Sequence, residues 1–251
     1  MKKVKSLFFL LSLCMILLSC TDKKPVSQVQ ESSVQQEDSV SVKKVDNVKV
    51  AKKQPLTYKI LVPFNYRLCN PDTIINRNWV ELYKDGKDYY VGKARYGIEM
   101  REDACSSTIP TYLAEKRNTI LFINQLPIKK GKVKIADVAF SDSTYLEPGS
   151  VRNFTFAGKH YKLEARAQGE SQLKNYTLLL NGERIVREAR VDAASFALLF
   201  AGDLDGDGKL DLVLSLPRDY EELRVALFLS SCAPPGLQIG KAAEIEDDFS
   251  C

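Results

Sequence analysis

From Tyr58 onward the chain is written in short runs where apolar and polar residues alternate, interrupted by Gly, Asn, Asp and Pro. A period of two puts one face of an extended segment toward a core and predicts strands. Trp79–Tyr83 and Tyr89–Lys93 flank Lys84-Asp85-Gly86-Lys87-Asp88, a hairpin signal. Phe154–Phe156 and Tyr161–Ala167 flank an Ala157-Gly158-Lys159 turn. Tyr176–Leu180 and Arg184–Val186 enclose Asn181-Gly182, which tolerates the left-handed backbone of a tight hairpin. Further strands are expected at Tyr58–Phe64, stopped near Pro63, and at Thr119–Gln125, Lys132–Phe140, Arg224–Ser230 and Lys241–Glu246. Helical character is slight, confined to turns near Tyr112–Lys116 and Asp219–Leu223. The expected fold is mainly β, with two β-rich sections of antiparallel strands, 57–140 and 141–251. Ser141–Ser150, with Asp142, Pro148 and Gly149, reads as the linker or long loop between them.

The N-terminal pattern is different. Lys2, Lys3 and Lys5 precede an apolar core, Leu7–Leu18, of signal-peptide length and too short to span a bilayer. It ends in Leu17-Leu18-Ser19-Cys20, which resembles the bacterial lipobox. That resemblance implies a signal peptide over 1–19, cleavage before Cys20 and lipidation of Cys20, so the expected partner is a membrane reached through a lipid anchor. Thr21 is not the Asp associated with inner-membrane retention, which favours an outer-membrane address in the bacterial envelope. Residues 20–56 are rich in Ser, Gln, Lys and Asp, and bury too little apolar surface to offset their ordering entropy. They are expected to form a disordered tether spanning about 30–35 Å. Beyond it, roughly 190 residues suffice for one ordinary domain or two small ones.

Composition narrows the partners. The formal charge is +4, but removing Lys2, Lys3 and Lys5 from 36 basic residues leaves 33 against 32 acidic ones. No basic cluster interleaves with aromatics, so nucleic acid is not expected as a partner. Cys14 falls within the removed segment, leaving Cys69, Cys105, Cys232 and Cys251 in the fold. An exported compartment permits disulfides, and four Cys allow three pairings. Proximity along the chain favours Cys69–Cys105 and Cys232–Cys251. No CxxC occurs and the chain has a single His, which gives no zinc-type ligand set.

The densest chemistry lies in Gly-Asp-Leu-Asp-Gly-Asp-Gly-Lys-Leu-Asp, residues 202–211. Carboxylates at alternating positions repel one another unless a cation gathers them. Ca2+ takes six to eight oxygens, and in loops of this type positions 1, 3, 5 and 9 supply side chains and position 7 a carbonyl. The expected ligands are therefore Asp203, Asp205, Asp207 and Asp211, with the Lys209 carbonyl. Gly208 occupies position 6, where the chain turns sharply. An EF-hand would need flanking helices and Glu at position 12, which is Leu214 here. The flanks Ser195–Ala201 and Leu210–Leu216 read as buried strands, giving a strand–loop–strand unit. The loop resembles the Asp-rich calcium loops of integrin-type FG-GAP repeats, although a single copy does not make a propeller. Phe200-Ala201 before the loop, Leu227-Phe228-Leu229-Ser230-Ser231 and Cys251 together resemble a group of exported bacterial proteins. Cys232 departs from that pattern.

No catalytic set accompanies the loop. His160 has no evident nucleophile or orienting partner. Ser195, Ser230 and Ser231 lack a G-x-S-x-G setting. Trp79, Tyr83, Tyr89 and Tyr90 could stack on sugar, but at strand spacing they are expected as core or cross-strand pairs. Glu246-Asp247-Asp248 reads as a solvated tail. The expected function is that of a non-enzymatic, membrane-anchored lipoprotein with structural Ca2+, in a binding or structural role at the envelope, with an envelope protein or a glycan as ligand. A glycan-acting hydrolase or other envelope enzyme is the alternative, and an inhibitor or chaperone-like partner is a third class. Two carboxylates in a cleft away from the loop would favour the hydrolase, and a flat aromatic patch would favour sugar binding.

Overall fold

The alternation is realised as seventeen strands in a computed structural model that describes residues 59–102, 110–138, 144–169, 172–192 and 195–250. All of these lie in one unit, Gln54–Cys251. Pro63 separates β1 (Ile60–Leu61) from β2 (Phe64–Tyr66). Asn70 then caps a one-turn helix, α1 (Pro71–Ile74), its side chain accepting the Asp72 N–H at 3.0 Å while Pro71 needs no donor partner. There follow β3 (Val80–Asp85), β4 (Asp88–Lys93), β5 (Tyr96–Met100), β6 (Thr111–Glu115), β7 (Thr119–Ile123), β8 (Gly131–Lys132) and β9 (Lys134–Ile135). The remainder comprises β10 (Val151–Phe156), β11 (Lys159–Gln168), β12 (Gln172–Leu180), β13 (Glu183–Asp192), β14 (Ala197–Asp203), β15 (Asp211–Ser215), β16 (Glu222–Leu229) and β17 (Gly240–Asp248).

These strands pair antiparallel into four sheets: β1-β7-β3-β4-β8, β2-β6-β5, β10-β11-β12-β13 and β17-β16-β15-β14-β9. The last of these is central, and the period of two explains how. Val213, Val225, Leu227 and Leu229 point into a cluster with Trp79, Leu82, Phe122 and other residues of the first two sheets. Leu212, Leu214, Ala226 and Phe228 point the other way, into a cluster with Leu163, Tyr176 and Leu178. A sheet buried on both faces reads as the near-continuous apolar run seen in Leu212–Leu214 and Val225–Leu229. The two sheets built from β1–β8 thus pack on one face of the central sheet and the β10–β13 sheet on the other, while the central sheet itself joins β14–β17 to β9.

Several expectations need correction. Tyr112–Lys116 is not helical. Its residues belong largely to β6, which pairs with β2 and β5 and buries both Leu113 and Ala114. Asp219–Leu223 forms a turn that runs into β16. The expected linker is anchored where it is described: the Leu146 N–H reaches the Phe196 carbonyl, and the Tyr176 hydroxyl donates to the Leu146 carbonyl at 2.5 Å. Residues 141–143 lie outside the described residues.

Among the described residues no disulfide forms: Cys69 and Cys232 are free thiols, and their expected partners, Cys105 and Cys251, lie outside those residues. The Cys69 thiol is pushed up to about 12 by its own burial first and by the Asp247 charge second. Cys20, Cys105 and Cys251 lie outside the described residues, as do the signal peptide and the tether.

Candidate metal centre and an adjoining cleft

The Asp-rich loop connects β14 to β15 and is pinned at two points. Leu204 inserts into one apolar cluster and Leu210 into the other, so neither can leave without exposing core surface. On the strand side, Gly202 is forced: a β-carbon there would lie 2.4 Å from the Lys134 carbonyl oxygen of β9. Inside the loop Gly206 and Gly208 have φ of 81° and 80°, left-handed values that suit glycine.

Three carboxylates converge. Asp203, Asp205 and Asp211 each place an oxygen within 4.8 Å of the others. Asp203 also accepts the N–H groups of Gly206 at 2.7 Å and Gly208 at 3.1 Å, which folds the loop around it. Asp205 accepts the Asp207 N–H through one oxygen, while its other oxygen is buried with no partner. Asp211 is fully buried and accepts N–H groups from Leu204 at 2.7 Å and Ser230 at 2.8 Å. Burial pushes the Asp211 carboxyl up to about 7, against those hydrogen bonds.

Asp207 does not join this group. One of its oxygens accepts the Lys209 N–H, and the other accepts the Ser230 hydroxyl at 2.7 Å. Partial burial works to raise its pKa, but the contacts from Ser230 and Lys209 hold it below the ordinary value. Lys209 engages Asp207 a second time through its ammonium, at 3.7 Å. The structure thus assembles three of the four carboxylates expected from spacing. An orphaned buried oxygen beside two further carboxylates is a donor set that suits a hard divalent cation.

The other residues singled out in the sequence scatter. Trp79 and Tyr89 are buried, and Tyr83 stacks on its cross-strand partner Tyr90 with ring centroids 5.6 Å apart, as expected of strand pairs. Asp247 is not part of a solvated tail. It is fully buried on β17 and accepts the N–H groups of Arg67 at 3.1 Å and Leu68 at 3.0 Å.

Sequence reasoning set His160 aside as structural. It is exposed and lines two adjoining cavities of 460 Å³ each, together with Tyr161 and Asn181. Only the meeting of two hairpin turns with segment 237–239 creates these clefts, and no local pattern announces that. A further cleft of 510 Å³ carries Asp219 and Glu222. Both are engaged: Glu222 pairs with Arg218, and Asp219 caps the Glu221 N–H.

No protein-family model, curated protein or solved structure matches the chain.

Proposed function

We propose that the chain is a calcium-binding lipoprotein of the bacterial envelope, anchored through Cys20, whose Ca2+ is structural and whose role is binding rather than catalysis. The observation that carries the metal is the buried, unpartnered oxygen of Asp205 facing a site shared with Asp203 and Asp211. Bound Ca2+ would supply positive charge where Asp211 is otherwise forced to ionise in an apolar setting. Asp203 and Asp205 would close the loop over the ion, and Asp211 would link it to both Leu204 and Ser230. Of the remaining ligands that the spacing implies, Asp207 and the Lys209 carbonyl, Asp207 would have to turn inward from its contacts to Ser230 and Lys209.

The anchor reading rests on the sequence Leu17-Leu18-Ser19-Cys20 alone. No helix among the described residues is long and apolar enough to cross a membrane. The hydrolase reading, which needs two carboxylates facing one cleft, is not adopted: Asp219 and Glu222 are already engaged, and Asp137 is the lone carboxylate of its cleft. The partner in this reading is an envelope protein or a glycan.

A melting experiment tests the metal. With a dissociation constant of about 10 μM and about 1 mM Ca2+, linkage stabilises the fold by about 2.7 kcal/mol. Chelation should lower the melting temperature by several degrees, Mg2+ should restore it poorly, and Asp205→Ala should remove most of the response. Identical curves in Ca2+ and in chelator would overturn the site. For the anchor, Cys20→Ala should release the protein from membranes or block its processing.

A further inference from the structure

The paired cavities around His160 are built like a ligand site. Two tight hairpin turns, Ala157-Gly158 and Asn181-Gly182, all four residues in the left-handed region, bring Lys159, His160, Tyr161 and Asn181 to their walls. Asn181 fixes the geometry: its carbonyl oxygen accepts the Lys162 N–H at 2.8 Å, and its amide donates to the Gln238 side chain at 3.0 Å. Gln238 is held in turn by Glu183. At 460 Å³ each, the cavities fall in the size range of small-molecule sites.

The first cavity is lined one-sidedly. Lys159, His160 and Lys209 bring hydrogen-bond donors to it and no carboxylate lines it, while Asp137 lines the second. Asp207, the nearest acidic group along the loop, is turned to Ser230 and Lys209. Lys159 makes no ion pair among the described residues, in contrast to Lys162, which pairs with Glu164. On the rim, Leu237 is 45% exposed, an apolar surface with no cover among the described residues. Tyr161 stands beside it, backed by stacking on Phe154 at 5.7 Å. Convergent cationic donors and one apolar edge together suit a compact polar ring bearing a negative charge.

We propose that this cleft binds a small anionic ligand of sugar size, carrying a phosphate or a carboxylate. The proposal goes beyond the calcium reading and does not depend on it. Lys159 and Lys209 meet the anion, His160 and Asn181 orient the ring, and Leu237 covers its apolar side.

Titration calorimetry of the full chain in nonionic detergent tests this, with glucose 6-phosphate, glucuronate and glucose as probes. Saturable binding of at least one charged sugar is expected, about tenfold or more tighter than that of glucose. The stronger of the two identifies phosphate or carboxylate as the charge recognised. The double variant Lys159→Gln, Lys209→Gln should weaken that binding about tenfold or more. Lys132→Gln, which removes a lysine paired with Asp88 outside the cleft, should leave it unchanged. No saturable heat from either charged sugar at ~10 mM, well above the range of specific affinities, would overturn the proposal. So would equal affinity for glucose, or full affinity in the Lys159/Lys209 variant.

Discussion

Asp211 and Asp247 invite comparison. Both are fully buried, both stand on strands of the central sheet, and both accept backbone N–H groups, Asp211 from its own loop and from Ser230, Asp247 from residues 67 and 68. Burial raises the carboxyl pKa at each. Their neighbours differ. Asp247 braces residues 67 and 68 and joins no group of three carboxylates among the described residues, its acidic neighbour being Asp248, whereas Asp211 sits with Asp203 and the orphaned oxygen of Asp205. A third buried carboxylate, Glu81, has its charge met by Arg117. A buried acid is therefore not in itself a metal signal. It becomes one when it has company and no protein cation to answer it.

Substitution breaks the comparison most strongly. Asp211→Ala strands the N–H groups of Leu204 and Ser230 and removes a ligand, so it should cost about 3–5 kcal/mol in Ca2+ and abolish the calcium-dependent shift in melting. Asp247→Ala strands the N–H groups at residues 67 and 68 and should cost about 2–3 kcal/mol, with the calcium shift intact. Denaturant titration of both variants with and without Ca2+ checks the pair. Equal calcium responses in the two would erase the distinction.

Acidity gives the next effect. The Asp211 carboxyl is raised from 3.8 to about 7 in the folded chain, so the folded state binds its proton more tightly than the unfolded state. That contribution is full below about pH 4 and is lost as pH rises toward 7. In chelator, stability should fall over this window by up to ~4 kcal/mol. Asp247 is raised as well and slopes in the same direction, so the part belonging to Asp211 is the part that saturating Ca2+ or Asp211→Asn removes. Urea midpoints at several pH values measure it. The smallest effect is expected at Asp207, whose contacts to Ser230 and Lys209 lie near the surface. In chelator, Asp207→Ala should cost only about 0.5–1 kcal/mol. A larger loss of Ca2+ affinity in the same variant would mark an inward turn of Asp207 when the ion binds.

Much of this was legible in the sequence where the deciding physics is local. Asn181-Gly182 specified its hairpin because few residue pairs accept two left-handed positions, and the loop announced itself because so many carboxylates seldom crowd a turn unaided. Three of its four carboxylates converge as expected. The misreadings share one cause, that the deciding contact is remote in sequence. Thr111–Glu115 hides its alternation because Leu113 and Ala114 are adjacent and both buried, each by a different neighbour. Asp247 looked solvated because its partners lie about 180 residues away. The helical turn of α1 was missed although Asn70-Pro71-Asp72 carries a cap and a first-position proline.

The shared central sheet has a consequence for how the protein comes apart. Leu212–Leu214 and Val225–Leu229 send alternate side chains to opposite clusters, so neither cluster can melt without stripping one face of the other's wall. The amides of β15 and β16 should exchange with deuterium only in global openings, and those N- and C-terminal to the sheet should lose protection together. A protease acting on the folded chain would then meet either an intact molecule or a wholly open one, with no half-melted form persisting between them.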